Sequence, residues 1–488
     1  MVESSAVGQT ANPSASEDAK AVLRYLKNLK GRSENRVLLG QDLGHGNDIL
    51  GRYPEYVTRL QENTLRTLGL IGGDYGLDAN HNVAATNQVF IDHWNRGGLV
   101  QISWHLDNPW TGGSSWDTNR NEDLNVLIDG YLAARWRDQL DEIADALQPL
   151  QQEGVPVLFR PLHEVNGDWF WWGRKDFPGH EAAYKRLFQH MFDYLTYERG
   201  LNNLIWVYSA AVTYEGGVSN YYPGPGYVDV VGIDVYDDRV RDRAVDRFGD
   251  LFFGGYKNHF DDLIALGTEH GHPVGLTEFG RNFGLAFDGQ YNYKRFIDAL
   301  GRREEIVFGY VWHDYQFQGA NLHAIASNRG QIGTMHHPLA ATLLDIELDY
   351  GFDDYVRVRN ASTRRHLSTI SDESNQVVNT FGGLDDSFYS TRWEFEATFV
   401  RDEFRLRNAW TGSGQQPNYL HNLARVRART QTVSTRQVWV LERSNNVFRF
   451  RSKFDGRYLT DDGTGRVRAE VDQPGSPRQQ WLIEEIDN

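Results

Sequence analysis

The chain has 488 residues, 40 % of them apolar and 24 % charged, with no cysteine and a formal charge of −16. One hydrophobic core serves roughly 250–300 residues, so two domains are expected, one large and one small. The missing thiols exclude disulfides and thiolate metal sites, and the negative charge disfavours nucleic acid and anionic membranes as partners.

Met1 is followed by VESSAVGQTANPSASED, a polar stretch without the apolar segment of a signal peptide. It reads as a flexible leader over 1–18. No apolar run approaches the ~20 residues that cross a bilayer, so membrane insertion is not expected. From residue 36 to about 345, short apolar runs alternate with amphipathic helical stretches. The runs are RVLLGQ (36–41), TLGLIGG (67–73), GGLVQISW (97–104), VPVLFRPLH (155–163), NNLIWVYSA (202–210), VDVVGIDVY (228–236), HPVGLTEFG (272–280) and IVFGYVWH (306–313). Each is rich in β-branched residues and bounded by Gly, Pro, Asn or Asp, the signature of a strand buried on both faces. Helical patterns such as EYVTRLQEN, DGYLAARWRDQLDEIADALQPL and HEAAYKRLFQHMFDYLTY lie between them. Eight such alternations predict an α/β fold, a (β/α)8 TIM barrel over 1–350, with an open doubly wound sheet as its rival.

From residue 351 the character changes. Residues 351–488 hold 20 basic and 19 acidic residues, leaving 30 and 47 for 1–350. Helical periodicity gives way to a repeat: YVRVRN (355–360), FRLRNA (404–409) and FRFRSK (448–453) are one strand written three times. HL (366–367), YL (419–420) and YL (458–459) follow them, and each unit closes on a tryptophan, Trp393, Trp439 and Trp481. Three units, none able to bury its apolar face alone, predict an all-β β-trefoil over 351–488. The unit resembles the ricin-B-type β-trefoil, with the QxW ending at Gln437–Trp439 and Gln479–Trp481 and a departure at Thr391. That resemblance implies carbohydrate binding; a structural appendage is the plainer reading.

The chemistry concentrates at the end of the fourth run, FRPLHEVNGDWFWWG (159–173). Loops leaving the C-terminal ends of barrel strands build active sites. Glu164 sits there with Trp169, Trp171 and Trp172, and apolar aromatic neighbours raise a carboxyl pKa as a general acid requires. Glu278, in GLTEFG (275–280), ends the seventh run. Two carboxyl groups flanking a glycosidic bond are a minimal glycosidase, and a separation of about 5–5.5 Å makes it a retaining one. A salt-bridged strand-end glutamate among core tryptophans is the alternative.

With HEVNGDWFWWG, TEFG and SWHLDNP (103–109) in place, residues 35 to 345 resemble glycoside hydrolase family 26, a (β/α)8 family dominated by endo-β-1,4-mannanases. The resemblance implies Glu164 as acid/base and Glu278 as nucleophile. It implies His105, His163 and Trp169 lining the cleft, Asp234 and Tyr236 supporting the nucleophile, Phe283 contacting sugar, and Trp312 as a stacking platform. His105 is otherwise a hydrogen-bonded strand-end histidine and Asp234 a loop-organising carboxylate. His313 departs from an arginine that some mannanases of the family carry there, which bears on the distal glycon subsites. The stretch NPWTGGSSWDTNR (108–120) reads as a long loop over one end of the cleft, with Trp110 and Trp116 as sugar platforms or as loop anchors. No HExxH or compact His/Asp pattern marks a catalytic metal, and no cofactor is expected.

The expectation is therefore a retaining endo-β-1,4-mannanase acting on a β-linked polysaccharide, monomeric and secreted, since a polymer is too large to import intact. A β-1,3-xylanase or mixed-linkage β-glucanase is the same-class alternative, and a non-catalytic carbohydrate-binding protein the alternative from another class.

Overall fold

The computed structural model describes residues 10–76, 80–173, 177–213, 217–237, 256–281, 289–316 and 320–348, and then 356–372, 375–381, 392–397, 403–408, 418–421, 427–430, 437–444, 447–464 and 466–485. The chain divides into two compact units, Met1–Tyr350 and Gly351–Asn488.

The first unit is built on eight strands: β1 (Val37–His45), β2 (Leu70–Asp74), β3 (Leu99–Trp104), β4 (Val157–Pro161), β5 (Leu204–Ala211), β6 (Val230–Asp237), β7 (Val274–Arg281) and β8 (Ile306–Val311). Successive strands pair in parallel, and β1 also pairs with β8, Leu38 opposite Phe308 and Gln41 opposite Val311. The sheet is closed, which excludes the doubly wound alternative. Every residue of β2, β3, β4, β5 and β8 is buried. That two-sided burial is why these runs read as continuous apolar segments rather than as alternating ones.

Helices Glu17–Leu29, Val83–Asn95, Ala133–Gln152, His180–Asp193, Lys257–His270 and Tyr293–Leu300 belong to the same unit. Ser16, Asn82 and Asn292 cap three of them by accepting a backbone N–H from the first turn, satisfying one of the donors a helix start leaves open. The stretch predicted as one helix over 55–63 is split, with a wide π turn at Tyr53–Thr58 before the α-helix Arg59–Thr64.

Residues 11–18, expected to be part of a flexible leader, are fixed in place. Ala11 donates its N–H to Asp229 (2.6 Å), Asn12 bonds Asn202 (3.0 Å), and Ser16 opens the first helix while its N–H reaches the Asn202 carbonyl (2.7 Å). Ala15 is buried. Residues 11–18 are thus held on the barrel, because their backbone donors find acceptors there. Residues 1–9 lie outside the described set.

The second unit is antiparallel and all-β. Each copy of the repeated strand pairs with a tryptophan strand: Val356–Asn360 with Trp481–Glu485, Glu403–Asn408 with Arg392–Ala397, and Val447–Ser452 with Trp439–Ser444. Each tryptophan donates its indole N–H to the leucine of the short motif: Trp393 to Leu367 (2.9 Å), Trp439 to Leu420 (3.2 Å) and Trp481 to Leu459 (3.0 Å). All three indoles are fully buried. Gln479 of the last QxW is buried too, accepting from Arg449 and donating to Thr460 and the Val471 carbonyl. The sequence repeat is a repeated hydrogen bond. Thr391 lies outside the described residues.

Candidate active site

The segment leaving β4 turns sharply. Leu162 and Glu164 both take left-handed backbone conformations, with φ of 49° and 56°. Such angles cost a residue with a Cβ on the order of 1–2 kcal/mol each. Four contacts hold the turn. The Leu162 carbonyl accepts from the Tyr184 hydroxyl (2.9 Å) and the His163 carbonyl from the Trp172 indole (2.7 Å). Glu164 donates its N–H to the Ser209 carbonyl (2.8 Å) and accepts from Gly167 (2.9 Å). The outcome is a carboxyl group presented, partly exposed, at the C-terminal mouth of the barrel. Trp169 folds back so that its indole N–H meets Glu164 Oε2 at 2.6 Å. A Cβ on Gly167 would stand 2.4 Å from that indole ring, so only glycine fits there.

Glu278 arrives from β7. A register shift between Ile233 and Asp234 places Asp234 abreast of Glu278, the local re-aiming that β-bulges provide beside active sites. Glu278 Oε1 accepts from the Tyr236 hydroxyl (2.5 Å) and Oε2 from the Arg160 guanidinium (2.5 Å). The same Arg160 nitrogen reaches Asp234 Oδ2 (2.5 Å), and the other terminal nitrogen donates to Ser103 Oγ (2.7 Å). Asp234 Oδ1 takes the Ser209 and Thr277 hydroxyls, both at 2.8 Å. Thr277 can enter this network because its neighbour is Gly232, where a Cβ would lie 2.2 Å from the Thr277 side chain. One oxygen from each of Glu164, Asp234 and Glu278 lies within 4.8 Å of the others.

Two of the carboxyls, Asp234 and Glu278, thus share one guanidinium out of water, with Glu164 beside them at the partly exposed rim. Burial, followed by the charges of Asp234 and Glu278, holds Glu164 well above the ordinary carboxylate range. Burial also pushes Glu278 up to about 8, with Arg160 opposing and Asp234 adding to the rise. Donor count orders the pair. Glu278 receives a guanidinium on one oxygen and a phenol on the other, both favouring the ionised form, whereas Glu164 receives a single indole N–H. Glu164 keeps its proton to the higher pH.

A second chain of polar groups borders the first. The His105 ring meets Asp74 Oδ2 through Nδ1 (2.6 Å) and His163 Nε2 through Nε2 (3.1 Å). Asp74 orients the His105 ring, and the two imidazoles share one hydrogen bond between their facing Nε2 atoms. Burial, then the charge on Arg160, holds His163 well below the usual histidine range, and its ring is neutral. His105 is thus a strand-end histidine hydrogen-bonded to a carboxylate, with His163 as its neighbour. Trp312, just beyond β8, packs edge-on to His105 with ring centroids 6.4 Å apart. His313 is buried and bound to Asp42 Oδ1 (2.6 Å).

Not every aromatic near Glu164 faces the cleft. Trp171 and Trp172 are fully buried and donate to the Leu106 and His163 carbonyls, so they are core and Trp169 alone reaches the carboxyl. Phe283 lies outside the described residues. Reading the sequence missed Arg160, Asp74, Asp42 and His45. Arg160 had a signal, a charge in the middle of the buried run VLFRP. Asp74 and Asp42 end or interrupt apolar strands but carry no motif of their own.

His45, Asp74 and His105 bring one nitrogen or oxygen each within 4.8 Å, the donor set of a divalent transition metal. His105 Nδ1 and Asp74 already satisfy each other there. At the carboxyl triplet the Arg160 guanidinium already occupies the cation's place. A pocket of about 570 Å³, lined by Tyr75, Trp104, His105, Asp107, Gln139 and Glu142 among others, opens beside His105, and neither Glu164 nor Glu278 lines it.

Comparison with known proteins converges on one family. The model of "Glycosyl hydrolase family 26" matches residues 11–267, a span that holds Glu164, Asp234 and Tyr236 and stops short of Glu278. A mannan endo-1,4-beta-mannosidase of Bacillus subtilis (strain 168) is 33 % identical over 319 residues, 62 % of this chain and 81 % of that protein. The mannan endo-1,4-beta-mannosidase A and B of Caldalkalibacillus mannanilyticus is also 33 % identical, over 62 % of this chain and 58 % of its own length. The solved structure of Bacillus subtilis mannanase man26 superposes with a TM-score of 0.56 at 31 % identity, covering 68 % of this chain and 95 % of that one. A shorter match, 28 % identical over 149 residues, is to Endoglucanase H of Acetivibrio thermocellus, 30 % of this chain and 14 % of that protein. With the closed barrel and the paired carboxyls at its mouth, the family match settles the class: this chain is a glycoside hydrolase and belongs to glycosyl hydrolase family 26.

Proposed function

We propose that the chain is a retaining endo-β-1,4-mannanase in which Glu278 is the nucleophile and Glu164 the acid/base. The observation that carries this reading is the separation of the two groups, one oxygen of each lying within 4.8 Å of the other. That agrees with the roughly 5–5.5 Å of retaining pairs and falls short of the roughly 6.5–9.5 Å that leaves room for water in inverting ones. In the first step Glu278 Oε attacks the anomeric carbon, the glycosidic C–O bond breaks, and the leaving oxygen takes the proton of Glu164. In the second, Glu164 removes a proton from water, the hydroxide oxygen attacks the same carbon, and Glu278 leaves as carboxylate. Arg160 and Tyr236 hold Glu278 by two hydrogen bonds, restricting its rotation toward the cleft. Trp169 fixes Glu164. His105, His163 and Trp312 wall the sugar-binding centre, and Asp234 acts through Arg160. Phe283 completes the sugar contacts in this reading.

Mannan is the substrate favoured by the relatives' activities, and the enzyme acts outside the cell as a monomer. Among the described residues no helix is long and apolar enough to cross a membrane. Residues 351–488 form a β-trefoil that binds the polysaccharide or its branches, a role suited to a threefold repeat that offers equivalent surfaces. The test is release of reducing ends from mannan, β-1,3-xylan and mixed-linkage β-glucan. Mannan is expected to be cleaved; activity confined to xylan or glucan would overturn the substrate assignment.

A further inference from the structure

We propose that His45, Asp74 and His105 form a regulatory site for a divalent transition metal of the zinc class, and that filling it slows glycoside cleavage. The three residues come from three different strand ends. A register shift between Asp42 and His45 sets His45 abreast of Asp74, where β1 and β2 end, and His105 follows β3. One nitrogen or oxygen of each lies within 4.8 Å of the other two. Asp74 is held in place, since its Oδ1 accepts the Gly76 and His105 backbone N–H groups (2.7 and 3.2 Å). His45 is the informative member. Its Nδ1 is buried, has no hydrogen-bond partner among the described residues, and stands 3.8 Å from Asp74 Oδ1, too far for a hydrogen bond. The rest of the ring can be reached from solvent, the side chain being 24 % exposed. Trp312 and His313 pack edge-on to it, with ring centroids 5.7 and 4.9 Å away. A buried imidazole nitrogen that faces a carboxylate without touching it is suited to bonding an ion between them.

Bonds of about 2.0–2.2 Å to imidazole nitrogen and carboxylate oxygen set the donors of a tetrahedral ion roughly 3.3 Å apart. The Asp74–His105 contact, 2.6 Å without the ion, widens and the His45–Asp74 gap closes, each by less than about one ångström. The cation takes the place of the proton between His105 Nδ1 and Asp74. His105 then carries its ring proton on Nε2, which faces His163 Nε2 at 3.1 Å, the outer hydrogen bond that metal-ligating histidines make. Three protein donors leave a further position open to water. Two nitrogens with one oxygen favour zinc, copper or nickel over magnesium and calcium, which take oxygen donors. The effect on catalysis is electrostatic. Glycoside cleavage passes through an oxocarbenium-like transition state, positive at the anomeric carbon. His105 bonds His163, the residue before Glu164, so the ion adds positive charge beside that centre. The other such group among the described residues, the carboxyl triplet, already holds Arg160.

The full chain, stripped with a chelator, would be titrated with zinc chloride by calorimetry and with cobalt chloride by visible absorption, beside its H45F and H45Q variants. The wild type should bind one zinc per chain and give the intense visible band of low-coordinate cobalt. Its turnover of mannan should fall about fivefold or more at saturation and return when chelator is added. H45F and H45Q should weaken zinc binding about 100-fold or more, and zinc that saturates the wild type should no longer slow either variant. Circular dichroism checks the fold of each. Zinc bound equally by the wild type and a folded variant would put the metal elsewhere and overturn the proposal. No zinc bound by the wild type, or zinc bound with turnover unchanged, would also overturn it. Binding is read without turnover, so failure of the mannan assignment is distinguishable: a chain inactive on mannan is assayed with zinc on the polysaccharide it does cleave.

Discussion

The two units of the chain use buried polar groups in opposite ways. In residues 351–488 the same bond is made three times, an indole N–H to a leucine carbonyl, each from a fully buried tryptophan. At the mouth of the barrel the buried polar groups include ions, unlike one another and set toward the strand ends: Arg160, Asp234, Glu278, Asp74 and Asp42. A repeated contact is scaffold, because three copies share one packing task. A contact made once, and made from ions that are costly to bury, has a different reason to exist. Two left-handed residues flank His163 at the same place, a second cost laid on the same few residues.

That contrast can be broken at several points. The largest effect is expected from E278A, which should lower kcat by more than about four orders of magnitude while the fold survives. Far-UV circular dichroism and reducing-end assays would check it, and near-normal turnover would remove Glu278 from the chemistry. E164A should cost about 10²- to 10⁴-fold on mannan. The loss should be much smaller on an aryl β-mannoside whose leaving group needs no proton. R160M should be the most destabilising of these changes, by about 3–5 kcal/mol, because Asp234 and Glu278 are left as buried, unbalanced carboxylates. Urea unfolding measures it, and a neutral result would mean the network carries no net charge.

Y236F tests the electrostatics with a smaller change. Glu278 must be ionised to attack, so activity falls as pH drops through its pKa; Glu164 must be protonated, so activity falls as pH rises through its own. Both are displaced upward by burial, Glu278 to about 8, so the whole bell of kcat/KM against pH should sit above the ordinary carboxylate range. Removing the Tyr236 phenol takes a donor from the charged form of Glu278, raises its pKa, and moves the acid limb to higher pH. A basic-limb shift instead would exchange the two roles. The smallest effect is expected in the other unit. W481F deletes one of three equivalent bonds and should cost about 1–3 kcal/mol for the unsatisfied Leu459 carbonyl, with kcat on soluble mannan unchanged. Retention on insoluble mannan, measured with and without residues 351–488, tests the glycan-binding role.

The barrel was legible in the sequence because parallel strands buried on both faces leave unbroken apolar runs, and each of the eight runs overlaps an observed strand. The leader was misjudged because what fixes residues 11–18 is not apolar. It is a set of bonds to Asp229 and Asn202, more than 180 residues away, which no local pattern announces. The two glutamates stood out by the motifs around them. Arg160 did not, although a lone charge inside VLFRP is an anomaly that only a buried counter-charge resolves. Trp171 and Trp172 illustrate the reverse error. Close to Glu164 in sequence, they are spent in the core, where their indoles bond the Leu106 and His163 carbonyls.

Double displacement leaves a stereochemical mark that no other arrangement of these carboxyls produces. Proton NMR of the first reducing ends released from a β-mannan should show the β-anomer, with the α-anomer growing in only by mutarotation. Initial appearance of the α-anomer would mean that water attacks directly, and Glu278 would not be the nucleophile.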